Sequence, residues 1–160
     1  MRFIISESGV LERAELDDPG IVIPGGVRNI SEGEFCERVP LFDLTIPGGV
    51  TAIGEGAFAR CDRLEKVTIP GGVTAIGDRA FYDCYSLTDA VIPDSVTSIG
   101  DYAFAECNQL ANVTLPKQVA HIGDRAFAFC ESLTGVVILN RETYIGSEAF
   151  YGCNCTISFV

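Results

Sequence analysis

Cysteine has the widest chemical repertoire of the residues in this 160-residue sequence, which contains seven of them. Five recur at intervals of 23 residues, at Cys61, Cys84, Cys107, Cys130 and Cys153. If successive coils of a stacked structure hold them, neighbouring thiols lie roughly 4.8 Å apart with parallel side chains. A disulfide instead needs converging Cβ atoms about 3.8 Å apart. We therefore predict free, buried thiols that pack as small hydrophobic groups, with partial cross-linking and metal binding as the alternatives.

The two remaining cysteines, Cys36 and Cys155, lie outside this column. We expect them to be the more reactive thiols, because they are not held in the buried column. They stand at opposite ends of the repeated region, so a bridge between them is not expected. The spacing of Cys153 and Cys155 is not that of a zinc site.

The single histidine, His121, is the other residue that suggests catalysis. It occupies a position that is otherwise filled by Asn29, Ala52, Ala75, Ser98 and Tyr144. We interpret this position as outward-facing. General acid–base catalysis needs groups within hydrogen-bond reach, and the repeat brings no serine or cysteine to His121. The sequence therefore predicts a surface histidine and no enzyme.

Acidic residues form a further column at Glu55, Asp78, Asp101 and Asp124, continued by Ser147. Each precedes an Ala-Phe pair by two residues, which is a suitable position for a helix N-cap. Stacked carboxylates about 5 Å apart would also repel one another, and calcium would relieve that repulsion. We favour capping and keep a calcium site as the alternative.

These columns belong to a repeat of 23 residues that runs from Ile23 to Cys153 without an insertion. Apolar residues recur in the same register. They form the columns Ile23, Ile46, Ile69, Ile92, Leu115, Ile138, then Ile30, Ile53, Ile76, Ile99, Ile122, Ile145, then Phe35, Phe58, Phe81, Phe104, Phe127, Phe150, and finally Leu41, Leu64, Leu87, Leu110, Leu133. Self-similarity at this period is typical of a solenoid. We predict about six stacked coils with these columns facing inward.

Each coil has a recognisable internal order. In the copy that begins at Leu64, the apolar residues up to Ile69 form a short strand, and Pro70 ends it because proline cannot donate to a sheet. A Gly-Gly turn and a second extended segment over 73–76 follow. Gly77 then allows a bend that other residues would resist, and a short helical turn closes the coil.

The ends depart from the repeat. Residues 3–16 contain two apolar runs around Ser8 and Gly9, so we interpret 1–22 as an N-terminal cap that contains a β-hairpin, 23–153 as the solenoid and 154–160 as a closing strand. That strand arrives about two residues early, with Cys155, Ile157 and Phe159 turned inward. Its edge has no proline or charge to discourage pairing, which favours weak self-association.

The composition excludes several classes of protein. Hydrophobic residues make up 48% of the chain, but no run approaches the roughly 18 apolar residues of a membrane span. Met1 is not followed by the basic start and apolar core of a signal peptide. The formal net charge of -11 argues against nucleic acid and anionic membranes as partners, since both would be repelled. No cofactor motif is present.

The pattern LxxVTIPxxVxxIGxxAFxxCxxL, which spans 64–87 and recurs over 87–110, resembles the BspA-type leucine-rich repeats. This resemblance implies a right-handed, curved coil with a parallel β-sheet on its concave face and short helical turns. Members of the family are often displayed on cell surfaces, where they bind host or matrix proteins. The departures here are Ala90 in place of the strand valine, and Leu139 and Glu142 in place of the proline and valine of the last coil.

Two surfaces are candidates for binding a partner. The first is the strand face, whose outward positions form the columns Phe42, Glu65, Thr88, Ala111, Thr134, then Asp43, Lys66, Asp89, Asn112, Gly135, and then Thr45, Thr68, Val91, Thr114, Val137. Its threonines would also suit an exposed strand of no function. The second is the helical ridge, with the aromatic residues Tyr82, Tyr85, Tyr102, Phe129 and Tyr151. Aromatic side chains are enriched at interfaces.

Two functions therefore stand. The resemblance favours a surface or secreted adhesion module that binds a protein or glycoprotein. The reduced-looking cysteines and the missing signal peptide favour an intracellular interaction scaffold instead.

Overall fold

The computed structural model describes residues 2–15, 21–30 and 41–160, which form a stack of short parallel strands and turns. The strands are β1 (Arg2–Ile5), β2 (Val10–Glu15), β3 (Ile21–Val22), β4 (Asn29–Ile30), β5 (Asp43–Thr45), β6 (Ala52–Ile53), β7 (Lys66–Thr68), β8 (Ala75–Ile76), β9 (Asp89–Val91), β10 (Ser98–Ile99), β11 (Asn112–Leu115), β12 (His121–Ile122), β13 (Gly135–Ile138), β14 (Tyr144–Ile145) and β15 (Thr156–Phe159). The predictions made for Phe35 and Cys36 fall outside the described residues.

The strands form three sheets whose order shows the solenoid. One sheet has the order β1-β2-β4-β6-β8-β10-β12-β14, a second has β3-β5-β7-β9, and a third has β11-β13-β15. The strands β1 and β2 are antiparallel, and the remaining pairs are parallel. From β3 to β14, pairing joins residues 23 positions apart, as in Ile53 with Ile76 and Val67 with Ala90. The predicted repeat solenoid is therefore confirmed.

Along the strands of the strand face, side chains point alternately to the solvent and to the core. In β7 the side chain of Val67 is buried between the exposed side chains of Lys66 and Thr68. The strands β5, β7 and β9 stay short because each is followed two residues later by a proline, which cannot donate to a sheet.

The phenylalanine column forms the centre of the core. Phe58, Phe81, Phe104 and Phe127 are each 0% exposed, and their rings stack with centroids 5.1 to 5.4 Å apart. Phe150 continues the stack at 5.4 Å from Phe127, but it is only partly buried because no coil of the described residues covers its outer face. The inward prediction for this column is correct at every described position.

The segment predicted as a helical turn is a run of turns, and the described residues contain no helix. In an α-helix each N–H donates to the carbonyl four residues back. Here the N–H groups of Arg79, Phe81 and Asp83 donate instead to carbonyls of the next coil, at 2.8, 2.8 and 2.9 Å. These bonds run along the stack.

Residues with a left-handed backbone conformation lie in the segments that make these bonds between coils. Within this one coil, Arg79 has a φ of 54° and Asp83 a φ of 57°. The same two positions have positive φ in every described coil, at Gly56, Arg60, Arg79, Asp83, Tyr102, Glu106, Arg125, Phe129, Glu148 and Gly152. Only Gly56 and Gly152 are glycines, so most of these residues adopt a conformation that costs roughly 1–2 kcal/mol in isolation. The hydrogen bonds between coils offset that cost.

Gly77 has a different role from the one predicted. Its column continues through Gly100, Gly123 and Gly146, and none of them has a positive φ. A Cβ atom on Gly123 would lie 2.5 Å from the backbone nitrogen of Asp101 in the preceding coil. The glycines are therefore required because neighbouring coils approach closely at this column.

The closing strand β15 pairs with β13, which places Ile157 beside Val136 and Phe159 beside Ile138. This register is two residues shorter than the repeat. Ile157 and Phe159 therefore share the core side of the sheet with buried neighbours, yet they are 40% and 46% exposed because none of the described residues forms a further coil over them.

We predict that Phe104→Ala destabilises the protein by about 3–5 kcal/mol, because it leaves a cavity between two neighbouring phenylalanine rings. Phe150→Ala is the matched control, since its ring has one neighbour and is partly exposed, and it should cost roughly 1–2 kcal/mol. Denaturant unfolding measures both. Equal losses of stability would contradict the described stack.

Candidate functional site

The strand-face candidates lie where the sequence predicts them. The side chains of Phe42, Asp43, Thr45, Glu65, Lys66, Thr68, Thr88, Asp89, Val91, Asn112 and Thr114 are exposed, and that of Ala111 is half-buried. Asp43, Lys66 and Asp89 are direct neighbours across β5, β7 and β9, so charges of opposite sign alternate along the stack. Apolar groups stand among them, with Phe42 41% and Val91 60% exposed.

This face is divided into two sheets. The strands β9 and β11 belong to successive coils, but they lie in different sheets and are not paired with each other. A groove of about 330 Å³ lies at the division, which we call the strand-face groove; its lining is Asp89, Ala90, Val91, Ile92, Asp94, Asn112, Thr114, Pro116 and Leu139. Four of the strand-face candidates, Asp89, Val91, Asn112 and Thr114, are thus brought together.

The ridge candidates do not form one surface. Tyr102 lies between two guanidinium groups, 5.5 Å from that of Arg79 and 6.0 Å from that of Arg125. Nη1 of Arg125 donates to the hydroxyl of Tyr102 at 3.3 Å, and its Nε donates to Glu148 at 2.6 Å. The hydrogen bond to Glu148 raises the pKa of Arg125. Through these contacts the side chain of Tyr102 joins neighbouring coils of the stack.

Three of the other ridge residues are exposed. Phe129 and Tyr151 meet edge to face at 5.4 Å and are 39% and 54% exposed. Tyr85 is 52% exposed and Tyr82 is half-buried. Only the Phe129–Tyr151 pair therefore offers a joined aromatic surface on this side of the described residues.

His121 is exposed, and its ring stacks on that of Tyr144 at 5.0 Å. The two residues occupy neighbouring positions of β12 and β14, so the repeat itself brings them together. Both residues fall in one column of the 23-residue repeat, so the sequence alone is enough to predict this contact.

The acidic column has a different hydrogen-bond partner from the one predicted. Oδ1 of Asp78 accepts from the backbone N–H of Asp101 at 2.8 Å, and Oδ1 of Asp101 accepts from that of Asp124 at 2.8 Å. The carboxylates therefore link one coil to the next and do not cap a helix in their own coil. Within the described ranges, no cluster of three or more histidine, cysteine, aspartate or glutamate residues is arranged to hold a metal ion.

Most of the cysteine column also links coils. The thiol of Cys84 donates to the carbonyl of Phe58 at 3.2 Å, and Cys107 and Cys130 make the same contact with Phe81 and Phe104. These three thiols are free and buried. Burial raises the pKa of Cys107 well above its ordinary value. The column therefore needs a small apolar residue that can also donate a hydrogen bond.

The prediction that all five column cysteines are free is wrong for Cys61, which is disulfide-bonded. Its neighbour in the column, Cys84, is free, so the bond does not run along the column. The geometric argument against a bridge applied only between neighbours in the column. Cys61 begins that column, because Arg38 stands 23 residues before it.

Comparison with known families identifies the repeat. The family described as BspA type Leucine rich repeat region matches residues 28–156 in six copies. None of the curated proteins is significantly similar in sequence. No helix of the described residues has the length and apolar character needed to cross a bilayer.

Solved structures with this architecture come from several bacteria. A leucine-rich cell surface protein from Faecalibacterium prausnitzii A2-165 is 29% identical, with a TM-score of 0.76 over 98% of this chain and 52% of its own. A leucine-rich repeat protein from Bacteroides ovatus ATCC 8483 is 28% identical, with a TM-score of 0.64 over 88% of this chain and 43% of its own. The leucine-rich repeat protein of T. pallidum is 27% identical, with a TM-score of 0.62 over 94% and 63%. The chain thus spans between two fifths and two thirds of the length of these relatives.

We predict that thiol titration of the native protein detects Cys153 and Cys155 first, because both are free and only partly buried. The buried thiols should appear on denaturation. Without reductant the denatured protein should show five thiols, since a disulfide removes two of the seven cysteines. A Cys153→Ser, Cys155→Ser variant should lose the fast phase. Seven thiols without reductant would contradict the bond at Cys61.

Proposed function

Because this chain belongs to the BspA-type leucine-rich repeat family, we propose that it is a non-catalytic binding module, secreted or displayed on a cell surface. It binds a protein or glycoprotein through its strand face. The observation that carries this proposal is the exposure of varied polar, charged and apolar side chains in register along that face. The F. prausnitzii relative, a cell surface protein by name, supports the location.

The strand face is preferred to the ridge because of how the ridge side chains are used. The guanidinium groups of Arg79 and Arg125 both lie against the ring of Tyr102, and Arg125 also pairs with Glu148. A partner would have to replace those contacts. On the strand face, Phe42 and Val91 offer apolar area, and charged residues beside them provide orientation.

The disulfide at Cys61 favours an oxidising compartment, because stable disulfides are rare in the reducing cytosol. The alternative is an intracellular interaction scaffold, and the free thiols of Cys84, Cys107 and Cys130 support it. The same face would bind in either case. Alkylation of the protein inside its native cells, followed by mapping of Cys61, distinguishes the two: an unmodified, oxidised Cys61 supports the surface module and an alkylated one supports the scaffold.

Binding to immobilised extracellular-matrix proteins and mucin glycoproteins tests the function. We predict that the double variant Lys66→Glu, Val91→Asp raises the dissociation constant of any detected complex at least about tenfold. Central interface residues each contribute more than about 1 kcal/mol to binding. The control, Phe129→Ala with Tyr151→Ala, changes the ridge and should have little effect. If the control abolished binding and the strand-face variant did not, the ridge would be the binding surface. If no protein of the panel bound, the proposed class of partner would be wrong.

We also propose weak self-association through the end of the stack. The outer edge of β15 has no neighbouring strand among the described residues, and Ile157, Phe159 and Val160 are exposed beside it. Two copies of β15 can pair antiparallel about a two-fold axis, which satisfies both edges.

Light scattering across a concentration series tests this pairing. The apparent mass of the parent should rise with concentration, and that of Phe159→Lys should not. Val91→Lys places the same charge at an exposed position far from β15 and should behave as the parent does. A concentration-independent monomer for the parent protein would remove the proposal.

A further inference from the structure

Two free thiols lie together just before the strand β15. Cys153 and Cys155 are only partly buried, and both side chains pack against the core. Asn154, which stands between them, is exposed. Side chains therefore alternate here as they do in an extended segment, and both thiols lie on the core side. The next residue, Thr156, begins β15.

Access distinguishes this pair from the buried thiols of the cysteine column. Cys84, Cys107 and Cys130 are each 0% exposed, and each donates to a carbonyl group of the preceding coil. Cys153 makes the same bond to Phe127 at 3.0 Å, but it stands in the last of the described coils and is half-buried. A dissolved reagent can therefore reach Cys153 without opening the stack.

The two accessible thiols differ in acidity. When Cys153 loses its proton, the thiols of Cys130 and Cys155 can donate hydrogen bonds to it, and this lowers the pKa of Cys153 to about 7. Burial raises the pKa of Cys155, and the charge on Cys153 adds to that effect. The thiolate is the nucleophile in exchange with disulfides. Cys153 is therefore the better attacking thiol of the two.

The spacing of the pair allows a bridge between them. Two residues of extended chain advance about 6.6 Å, and disulfides span Cα separations of about 4.4–6.8 Å. A hydrogen bond between the two thiols shows that their side chains already meet. Cys130, the other thiol beside Cys153, is a poorer partner because it is fully buried and donates to the carbonyl of Phe104. Accessible thiols with a nearby second cysteine are typical of redox-sensitive sites.

We propose that Cys153 and Cys155 form a redox-active dithiol that exchanges with low-molecular-weight disulfides. The Cys153 thiolate attacks one sulfur of the reagent, which forms a mixed disulfide and releases one thiolate. The charge on Cys153 is then gone, so it no longer opposes ionisation of Cys155. The Cys155 thiolate attacks the sulfur of Cys153, which forms the Cys153–Cys155 disulfide and releases the second thiolate.

The exchange balances without a further reactant. The dithiol is oxidised by two electrons, the reagent disulfide is reduced to two thiols, and the two protons of the cysteines pass to the released thiolates. The inference goes beyond the proposed function, because it depends neither on the strand face nor on the partner that binds there.

Treatment with oxidised glutathione tests the inference. The protein is prepared without reductant, so that Cys61 keeps its disulfide, and is treated at about pH 7 before denaturation and alkylation. We expect it to lose two thiols relative to the untreated protein and to retain no glutathione. Peptide mapping should show Cys153 linked to Cys155, and dithiothreitol should restore both thiols.

Three variants assign the roles. Cys155→Ser should stop the reaction at the mixed disulfide, with one glutathione on Cys153. Cys153→Ser should react at least about fivefold more slowly, because it lacks the thiol with the lowered pKa. Cys84→Ser is the matched control, since it removes a buried thiol of the column, and it should leave both the rate and the product unchanged.

A Cys130–Cys153 disulfide in the treated parent would overturn the inference. Glutathione retained on both Cys153 and Cys155, or no reaction of either thiol in the native protein, would do the same. Equal rates for the parent and Cys153→Ser would contradict the role of Cys153 as the attacking thiol. The proposed function is tested separately, because these measurements use no binding partner.

Discussion

Hydrogen bonds that run along the stack, from one coil to the next, are the interaction on which this structure depends. The strands have two to six residues and the turns contain no helix, so a single coil has few partners for its own backbone groups. The N–H of Phe104 donates to Ala126, the thiol of Cys130 donates to Phe104, and the carboxylate of Asp101 accepts from Asp124. Each coil is therefore completed by its neighbours, as expected for a solenoid.

This dependence connects the fold with the proposed function. Because the coils share one register, side chains on the strand face form straight columns with a fixed spacing, which suits recognition of an extended partner surface. Where the strand pairing lapses, between β9 and β11, the same face gains a groove. At β15, beyond which the described residues form no further coil, core-facing side chains are exposed.

The sequence predicted the features that depend on side-chain periodicity. The phenylalanine column, the inward isoleucines and the outward positions of the strand face all follow from residues that recur every 23 positions, because burial selects for apolar type. The turns were not predicted because the residues with a left-handed backbone conformation, such as Arg79 and Asp83, are not glycines. The groove was not predicted either. The sequence shows that Ala90 departs from the repeat, but the separation of β9 from β11 depends on backbone positions that cannot be inferred from the residue types. Which face binds a partner remains a prediction, because the repeat shows which side chains are exposed but not which of them contact a partner.

Amide hydrogen exchange, measured by NMR in dilute solution, tests the dependence between coils most directly. Phe81, Phe104 and Phe127 donate their N–H groups to the next coil, whereas Phe150, the equivalent residue of the last coil, has no such acceptor among the described residues. Our account predicts that the first three amides exchange orders of magnitude more slowly than that of Phe150, although all four belong to the same kind of turn. Similar exchange rates at Phe104 and Phe150 would contradict it, because each turn would then satisfy its hydrogen bonds within its own coil.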